Sequence, residues 1–387
     1  MRAIHCLFIL ILVFGTAFMI GCSRSIEIEH AEDELETLLR KTVVKDKSVR
    51  NAVLLVESPT LGINGVWAAG IADERSGDAM TAASPFLSAS IGKLFTATLV
   101  ISLAQEGVLS LDDSIVDWLD ASLIAGLPIQ GGETALGNVT IRRLLAQRSG
   151  FPDYFEGKTA DRAPSISELL VEAPEQSWTP VLLLDYVKSH YEPAGAPGEA
   201  FLYADTNYDL LGLIVQEASG QPLHEVMAER IFIPLGLQNT WMHARSDAPY
   251  ADVWIGDFNA ARIPALSLDW AGGGLATTVG DLRIFLRSLL DGRPTSLDSF
   301  QIDWTEDAIA RGIDYGYGLW RIRPGGISFL LKSYPEILGV SGSTGSFVYW
   351  APEYDAVIAG SFNQTEYRKK HVVFLIKVLR VLGRLAP

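Results

Sequence analysis

Ser90-Ile91-Gly92-Lys93 sets a hydroxyl and an amine three residues apart. In a helix that spacing puts both side chains on one face. A serine hydroxyl is a poor nucleophile until a neighbouring base takes its proton. Lysine can be that base only as the neutral amine. Burial disfavours its charge, and so does the positive end of a helix dipole, so a lysine in the first turn of an apolar helix is expected to have a lowered pKa. Unpaired N–H groups at a helix N-terminus can stabilise the oxyanion formed when the hydroxyl attacks a carbonyl. The plainer interpretation is a helix cap, with Ser90 closing the helix end and Lys93 reaching out to solvent.

Other chemistries find less support. The six histidines, His5, His30, His190, His224, His243 and His371, form neither H-x-H nor H-E-x-x-H, so no metal site is expected. Gly272-Gly273-Gly274 lacks the G-K-[ST] ending of a phosphate loop and is expected to be a tight turn. No G-x-S-x-G elbow occurs, and no cofactor motif is evident. The two cysteines, Cys6 and Cys22, lie at the N-terminus, which excludes a disulfide framework from the rest of the chain. The formal charge of −15 argues against nucleic acid as a partner. Anionic lipid would also repel such a chain, so any membrane attachment must be hydrophobic.

The elements that must position Ser90 and Lys93 follow from apolar periodicity. Residues 90–106 contain no proline and end at Gly107, and their apolar residues surround the helix, as expected for a buried central helix. Segments 52–57 and 65–71 form a strand hairpin about a turn at 59–64. A short helix is expected over 34–41. From about 109 to 240, helical segments alternate with Pro- and Gly-rich loops. The clearest are 141–145, 179–191, 208–218 and 222–231. Strand-like runs return at 317–323, 328–332, 346–351 and 356–362. The last stretch, 367–385, is helical and is expected to pack on the sheet rather than on a membrane. This order predicts an α/β fold in which an antiparallel sheet, flanked by helices, is assembled from both ends of the chain with an all-helical lobe inserted. A length of 387 residues and 48% hydrophobic content suit one large domain with such an insert.

The N-terminus reads Met1-Arg2-Ala3, then an apolar run of 15 residues from Cys6 to Ile20, then Gly21-Cys22-Ser23. That run is short for about 30 Å of hydrocarbon and fits a secretory signal. Met19-Ile20-Gly21-Cys22 resembles a bacterial lipoprotein box. The resemblance implies a signal peptide over 1–21, lipid on Cys22, a tether and first helix over 22–45, and a folded domain over 46–387. The protein is then anchored in the cell envelope, facing the periplasm or the exterior. An uncleaved N-terminal anchor is the alternative.

Text around the serine extends the pattern. Pro85 to Ala97 (PFLSASIGKLFTA) resembles the active-serine segment of the serine β-lactamase and penicillin-binding protein superfamily, especially its class C β-lactamase and D-alanyl-D-alanine carboxypeptidase branch. Gly107 to Asp113, Ile141 to Tyr154 (IRRLLAQRSGFPDY), Tyr203-Ala204-Asp205, Gly272 to Asp281 and Val340 to Gly345 resemble further landmarks of that family, in its order. The resemblance implies a β-lactamase/DD-peptidase-like fold and an acyl-serine mechanism without a cofactor. Ser90 is then the nucleophile, and Lys93 and Tyr203 shuttle its proton. Asp205, Ser341, Gly342 and Ser343 contact substrate, with the third motif on an edge strand and the Ser343 and Ser90 N–H groups forming the oxyanion hole. Three positions depart from the pattern: Gln147 replaces His, Asp205 replaces Asn, and Val340 replaces Lys or His. Val340 removes a cation that would face a substrate carboxylate, a role for which Arg321, Arg323 and Lys332 are the candidate substitutes. Asp205 would raise the pKa of Lys93 or else bind a substrate ammonium. The expected activity is hydrolysis of an amide or ester in a small molecule or peptide such as peptidoglycan. A D-amino-acid peptide is the first choice and an ester the second. A binding protein that kept the fold without the chemistry is the rival from another class.

Overall fold

A computed structural model describes residues 26–386. Cys6, Cys22 and the apolar run before them lie outside the described residues, and the lipoprotein expectation with them. Among the described residues no helix is long and apolar enough to cross a membrane.

The apolar run of Asn51–Ser58 is buried along nearly its whole length, as a strand covered on both faces must be. It lies within a nine-stranded sheet. The order is Asp78–Ala79, Ile63–Asp73, Asn51–Ser58, Ala356–Ser361, Phe347–Ala351, Ile337–Ser341, Trp320–Ile322, Ile313–Tyr315 and Thr305–Ala310. Every pairing is antiparallel. Both ends of the chain build the sheet, as expected. Side chains alternate between its faces. Val53 and Leu55 enter a core shared with the helical lobe, whereas Ala52, Leu54 and Val56 enter a second core beneath the terminal helices.

The second core explains the two end helices. The final helix His371–Leu385 buries Phe374, Leu375, Val378, Leu379 and Leu382 against the sheet. The first helix runs over Ile28–Lys45, longer than the expected 34–41. Ala31, Leu35 and Leu39 recur every fourth residue and bury one stripe, and the acidic residues between them face solvent. Those acidic residues made its first turns read as a tether.

One expected strand is absent. Residues 328–332 form a tight turn in which the Ser328 hydroxyl accepts from the Leu330 N–H, leaving Phe329 and Leu330 exposed. The strand of this region is Ile337–Ser341 instead.

Within the lobe, Thr140, Ser165 and Thr179 cap helices Ile141–Leu145, Ile166–Glu172 and Pro180–His190. Helix Asp205–Ser219 stops at left-handed Gly220. A small sheet joins Phe86–Leu87, which leads into Ser90, to Leu275–Thr277, which follows the triple glycine, and to Trp241–Met242.

Candidate active site

Ser90 occupies a single turn, Ala89–Ile91, that feeds helix Gly92–Gln105. Residues Gly92 to Leu103 of that helix are all buried, as its all-round apolar pattern requires. The turn is anchored through Ser88: its N–H donates to the Leu275 carbonyl at 2.8 Å, and its hydroxyl to the Gly273 carbonyl at 3.1 Å. Ala89 holds a left-handed φ of 46°, a strained conformation for a residue with a Cβ, next to the nucleophile. The triple glycine allows this approach. A Cβ on Gly92 would lie 2.6 Å from the Gly273 Cα, and one on Gly273 would lie 2.5 Å from the Ala89 carbonyl oxygen.

Lys93 is 1% exposed, which excludes the snorkelling alternative. Its Nζ lies 3.4 Å from Ser90 Oγ and 3.3 Å from the Gly272 carbonyl, and it pairs directly with Asp205 Oδ1. It also sits over the rings of Tyr203 and Tyr208, at 5.1 and 5.3 Å. The expectation of a lowered lysine pKa is overturned. Burial does push it down, but the charges of Asp205, Tyr203 and Asp269 outweigh burial and hold the ammonium above its ordinary value. Tyr203 stands as expected beside the pair. Its ring meets Tyr315 and Trp320 edge-on, at 5.8 and 6.5 Å. Its buried hydroxyl faces Ser90 and Lys93, whose hydrogen-bonding groups favour its ionised form. Burial raises its pKa, the Lys93 ammonium draws it partly back, and Asp205 adds to the rise.

Asp269 belongs to the same cluster, although no motif in the sequence marks it. A side chain at Gly272 would lie 3.1 Å from Asp205 Oδ1, 3.2 Å from Lys93 Nζ and 3.8 Å from Asp269 Oδ1, so all three converge on that glycine. Burial pushes the Asp269 carboxyl up, Lys93 opposes and Asp205 reinforces, and it ionises at about 7. The only local signal was an acid three residues before the triple glycine. Asp153, in the FPDY segment, has a clear local task. Its carboxylate accepts from the N–H groups of Asp205 at 3.1 Å, Phe155 at 3.2 Å and Glu156 at 2.9 Å. It thereby holds the start of the helix that carries Asp205.

The third motif differs from expectation in two ways. Its strand, Ile337–Ser341, is interior rather than at an edge. The neighbouring strand pairs only as far as Gly339, however, so the backbone from Val340 onward is uncovered on that side. Alternation then separates the side chains. Val340 lies in the core shared with the lobe. Ser341 points to the other face, where its hydroxyl bonds Tyr349 at 2.8 Å and His371 at 2.6 Å. Ser341 is therefore a core polar residue and not a substrate contact. Gly342 does meet the serine turn: a Cβ there would lie 2.4 Å from the Ser88 carbonyl oxygen. Thr344 and Ser346 bond the Leu87 and Ser88 carbonyls at 3.2 and 2.7 Å, fixing the hairpin against the turn. Ser343, at the hairpin tip, is partly exposed.

The suggested substitutes for a cation at 340 are otherwise engaged. Arg321 and Arg323 both pair with the fully buried Asp314, and Lys332 lies against Phe329.

The description "Beta-lactamase" belongs to the family model that matches residues 43–375. This chain belongs to the beta-lactamase family. Among similar sequences, penicillin-binding protein 4* of Bacillus subtilis is 31% identical over 43% of this chain and 32% of its own length. The D-aminopeptidase of Brucella anthropi is 25% identical over 64% of this chain and 44% of its own length. The chain thus spans less than half the length of these curated relatives. Among solved structures, the D-amino acid amidase of Ochrobactrum anthropi SV3 superimposes with a TM-score of 0.75 at 24% identity, covering 92% of this chain and 99% of that one. Within this beta-lactamase family frame, Ser90, Lys93 and Tyr203 come together as the resemblance implied, and Asp205 sits directly on the lysine.

Proposed function

We propose that this chain is a serine hydrolase that forms an acyl-serine intermediate on amides of D-amino acids carrying a free α-ammonium group. The observation that carries the reading is the placement of Ser90 Oγ 3.4 Å from a buried lysine that is itself paired with Asp205. In the resting site Lys93 is an ammonium and Tyr203 a phenol, so neither can simply remove the serine proton. Lys93 accepts the Ser90 proton as it hands one of its own to Asp205. The Oγ–carbonyl bond forms and the carbonyl oxygen takes the charge, supported by the Ser90 and Ser343 N–H groups. Tyr203, whose buried hydroxyl faces Ser90 and Lys93, donates to the leaving nitrogen. Water then hydrolyses the acyl-serine along the same route in reverse.

Charge supports the substrate class. Asp205 and Asp269 face the lysine, and Arg321 and Arg323 are committed to Asp314. A substrate carboxylate would meet carboxylates, whereas an ammonium is complementary. The D-aminopeptidase among the relatives agrees with that preference and suggests the D configuration. An uncharged ester is the second substrate, since nothing in the site demands a carboxylate on the leaving side. We further propose delivery to the cell envelope through residues 1–21 and lipid on Cys22. Metabolic labelling with a radioactive fatty acid that persists in Cys22→Ala would refute the lipid attachment.

The test is intact mass after incubation with a fluorophosphonate, alongside turnover of D- and L-alanine anilides and of an acetylated D-alanyl-D-alanine peptide. We expect a wild-type adduct absent from Ser90→Ala, and faster turnover of the D-anilide than of the other two. Equal labelling of Ser90→Ala, or preference for the acetylated peptide, rejects the proposal. A folded wild type with neither adduct nor turnover would leave the binding-protein alternative.

A further inference from the structure

We infer that Gln147 is the residue that positions Tyr203, holding the backbone on both sides of it. The inference rests on the acyl-serine reading, in which Tyr203 moves a proton. Gln147 is fully buried. Its backbone carbonyl accepts from the Leu202 N–H at 2.9 Å, and its side-chain Oε1 accepts from the Ala204 N–H at 3.0 Å. Those residues flank Tyr203. The same Oε1 accepts from Asn207 Nδ2, in the first turn of the helix that carries Asp205.

Two further features mark this as a dedicated clamp. Residues 201–204 lie in neither helix nor strand, so no regular ladder fixes the tyrosine. Gln147 itself holds a left-handed φ of 57°, a costly conformation for a side-chain-bearing residue, and with it both oxygens reach the same segment. Its Nε2, by contrast, faces the Tyr315 hydroxyl without a normal hydrogen bond among the described residues. The function lies in the oxygen and its reach. Gln147 makes no hydrogen bond to Ser90 or Lys93, so it acts through Tyr203 and is a positioning residue. A displacement of about 1 Å at a reacting group can cost on the order of a hundredfold in rate.

Gln147→Asn and Gln147→Glu separate this from a general packing role. Asn tolerates the left-handed backbone but withdraws the oxygen by one methylene. Glu keeps an acceptor oxygen at the same reach. With the full-length protein, the readouts are the rate of fluorophosphonate modification at Ser90, kcat and KM for the D-alanine anilide, the alkaline limb of the pH profile, and cooperative melting. We expect Gln147→Asn to slow modification and kcat roughly ten- to a hundredfold with KM within about twofold. Its alkaline limb should move as Tyr203 shifts against Lys93, and Gln147→Glu should restore rate and limb to within about threefold of wild type. Folded Gln147→Asn reacting like wild type overturns the inference, as does equal loss in both variants with an unmoved alkaline limb. Should the Asn variant fail to fold, a tenfold loss in folded Gln147→Glu overturns it alone. Wild type that takes no adduct at all instead overturns the acyl-serine reading beneath it.

Discussion

Asp269→Asn tests the electrostatics of the site through a quantity independent of substrate. In the folded protein burial and Asp205 raise the carboxyl, Lys93 only partly opposes them, and it ionises at about 7, against an ordinary value of 3.8. Between those two values the folded chain keeps a proton that the unfolded chain has lost. The resulting stabilisation is present in full below the lower value and fades as pH rises through the upper one. Each pH unit of the gap is worth about 1.4 kcal/mol, so the wild type gives up at most about 4 kcal/mol between pH 4 and 8 through this group. Asn has no proton to lose. Asp153, which burial and Asp205 push to about 6, contributes a slope of the same sign, but it is present in both proteins and cancels. Urea unfolding at intervals from pH 4.5 to 8.5 should show the variant gaining on the wild type up to about pH 7 and levelling off above it. Parallel curves would refute the placement of Asp269 beside Asp205 and Lys93. Activity should follow the same titration: KM for an ammonium-bearing amide falls through about pH 7 in the wild type and flattens in the variant.

Asp205→Asn removes the largest of the charges that hold Lys93 protonated, so its half-maximal rate of fluorophosphonate labelling should occur at lower pH while KM for the D-alanine anilide rises; a midpoint moved to higher pH would contradict this. Ser341→Ala breaks the bonds to Tyr349 and His371 and should cost about 1–3 kcal/mol in urea unfolding with kcat/KM nearly unchanged. A tenfold loss of activity at full stability would return Ser341 to the substrate site. Burial holds His243 and His371 neutral down to about 4. Their stabilisation is intact above pH 6.5 and is lost as pH falls through 4, at most about 3 kcal/mol for each. Replacing His371 by Gln should therefore flatten the acid limb of a thermal melting profile.

The fold was legible where a signal is local and continuous. The serine helix, the first hairpin and the final amphipathic helix each declare themselves within about fifteen residues, and the structure places them as expected. Ser90, Lys93 and Tyr203 were legible through the order of landmarks along the chain. The protonation of Lys93 was less so, because it depends on acids brought in from distant segments. Asp205 was named as a residue that would raise that pKa, yet its contact with Nζ depends on how the helix Asp205–Ser219 docks. Asp269 had no pattern to reveal it beyond its distance from the triple glycine. Ser341 is a different case, because its misplacement was avoidable. A strand alternates its faces, so a valine standing where the family puts a site-facing cation sends the next residue to the opposite face.

Val340 and Asp205 make better sense together than apart. Val340 takes a positive charge out of the site, and Asp205, with Asp269 ionised near neutrality, adds negative charge around the lysine. In a partly desolvated cleft, opposing the sign of a substrate group costs far more than it does in water. On the proposed reading, either change alone would weaken recognition of a carboxylate, and both together would reverse the preference while leaving nucleophile, lysine and tyrosine in register. The same carboxylates would normally disable a lysine base by keeping it charged. They do not if Asp205 takes the proton that Lys93 must shed. In the proposed mechanism that contact would serve both functions, with one carboxylate acting as proton acceptor for the lysine and as part of the field that selects an ammonium. If Asp269→Asn kept fast labelling by an uncharged probe while losing discrimination between charged substrates, the selective charge would lie on Asp269 instead.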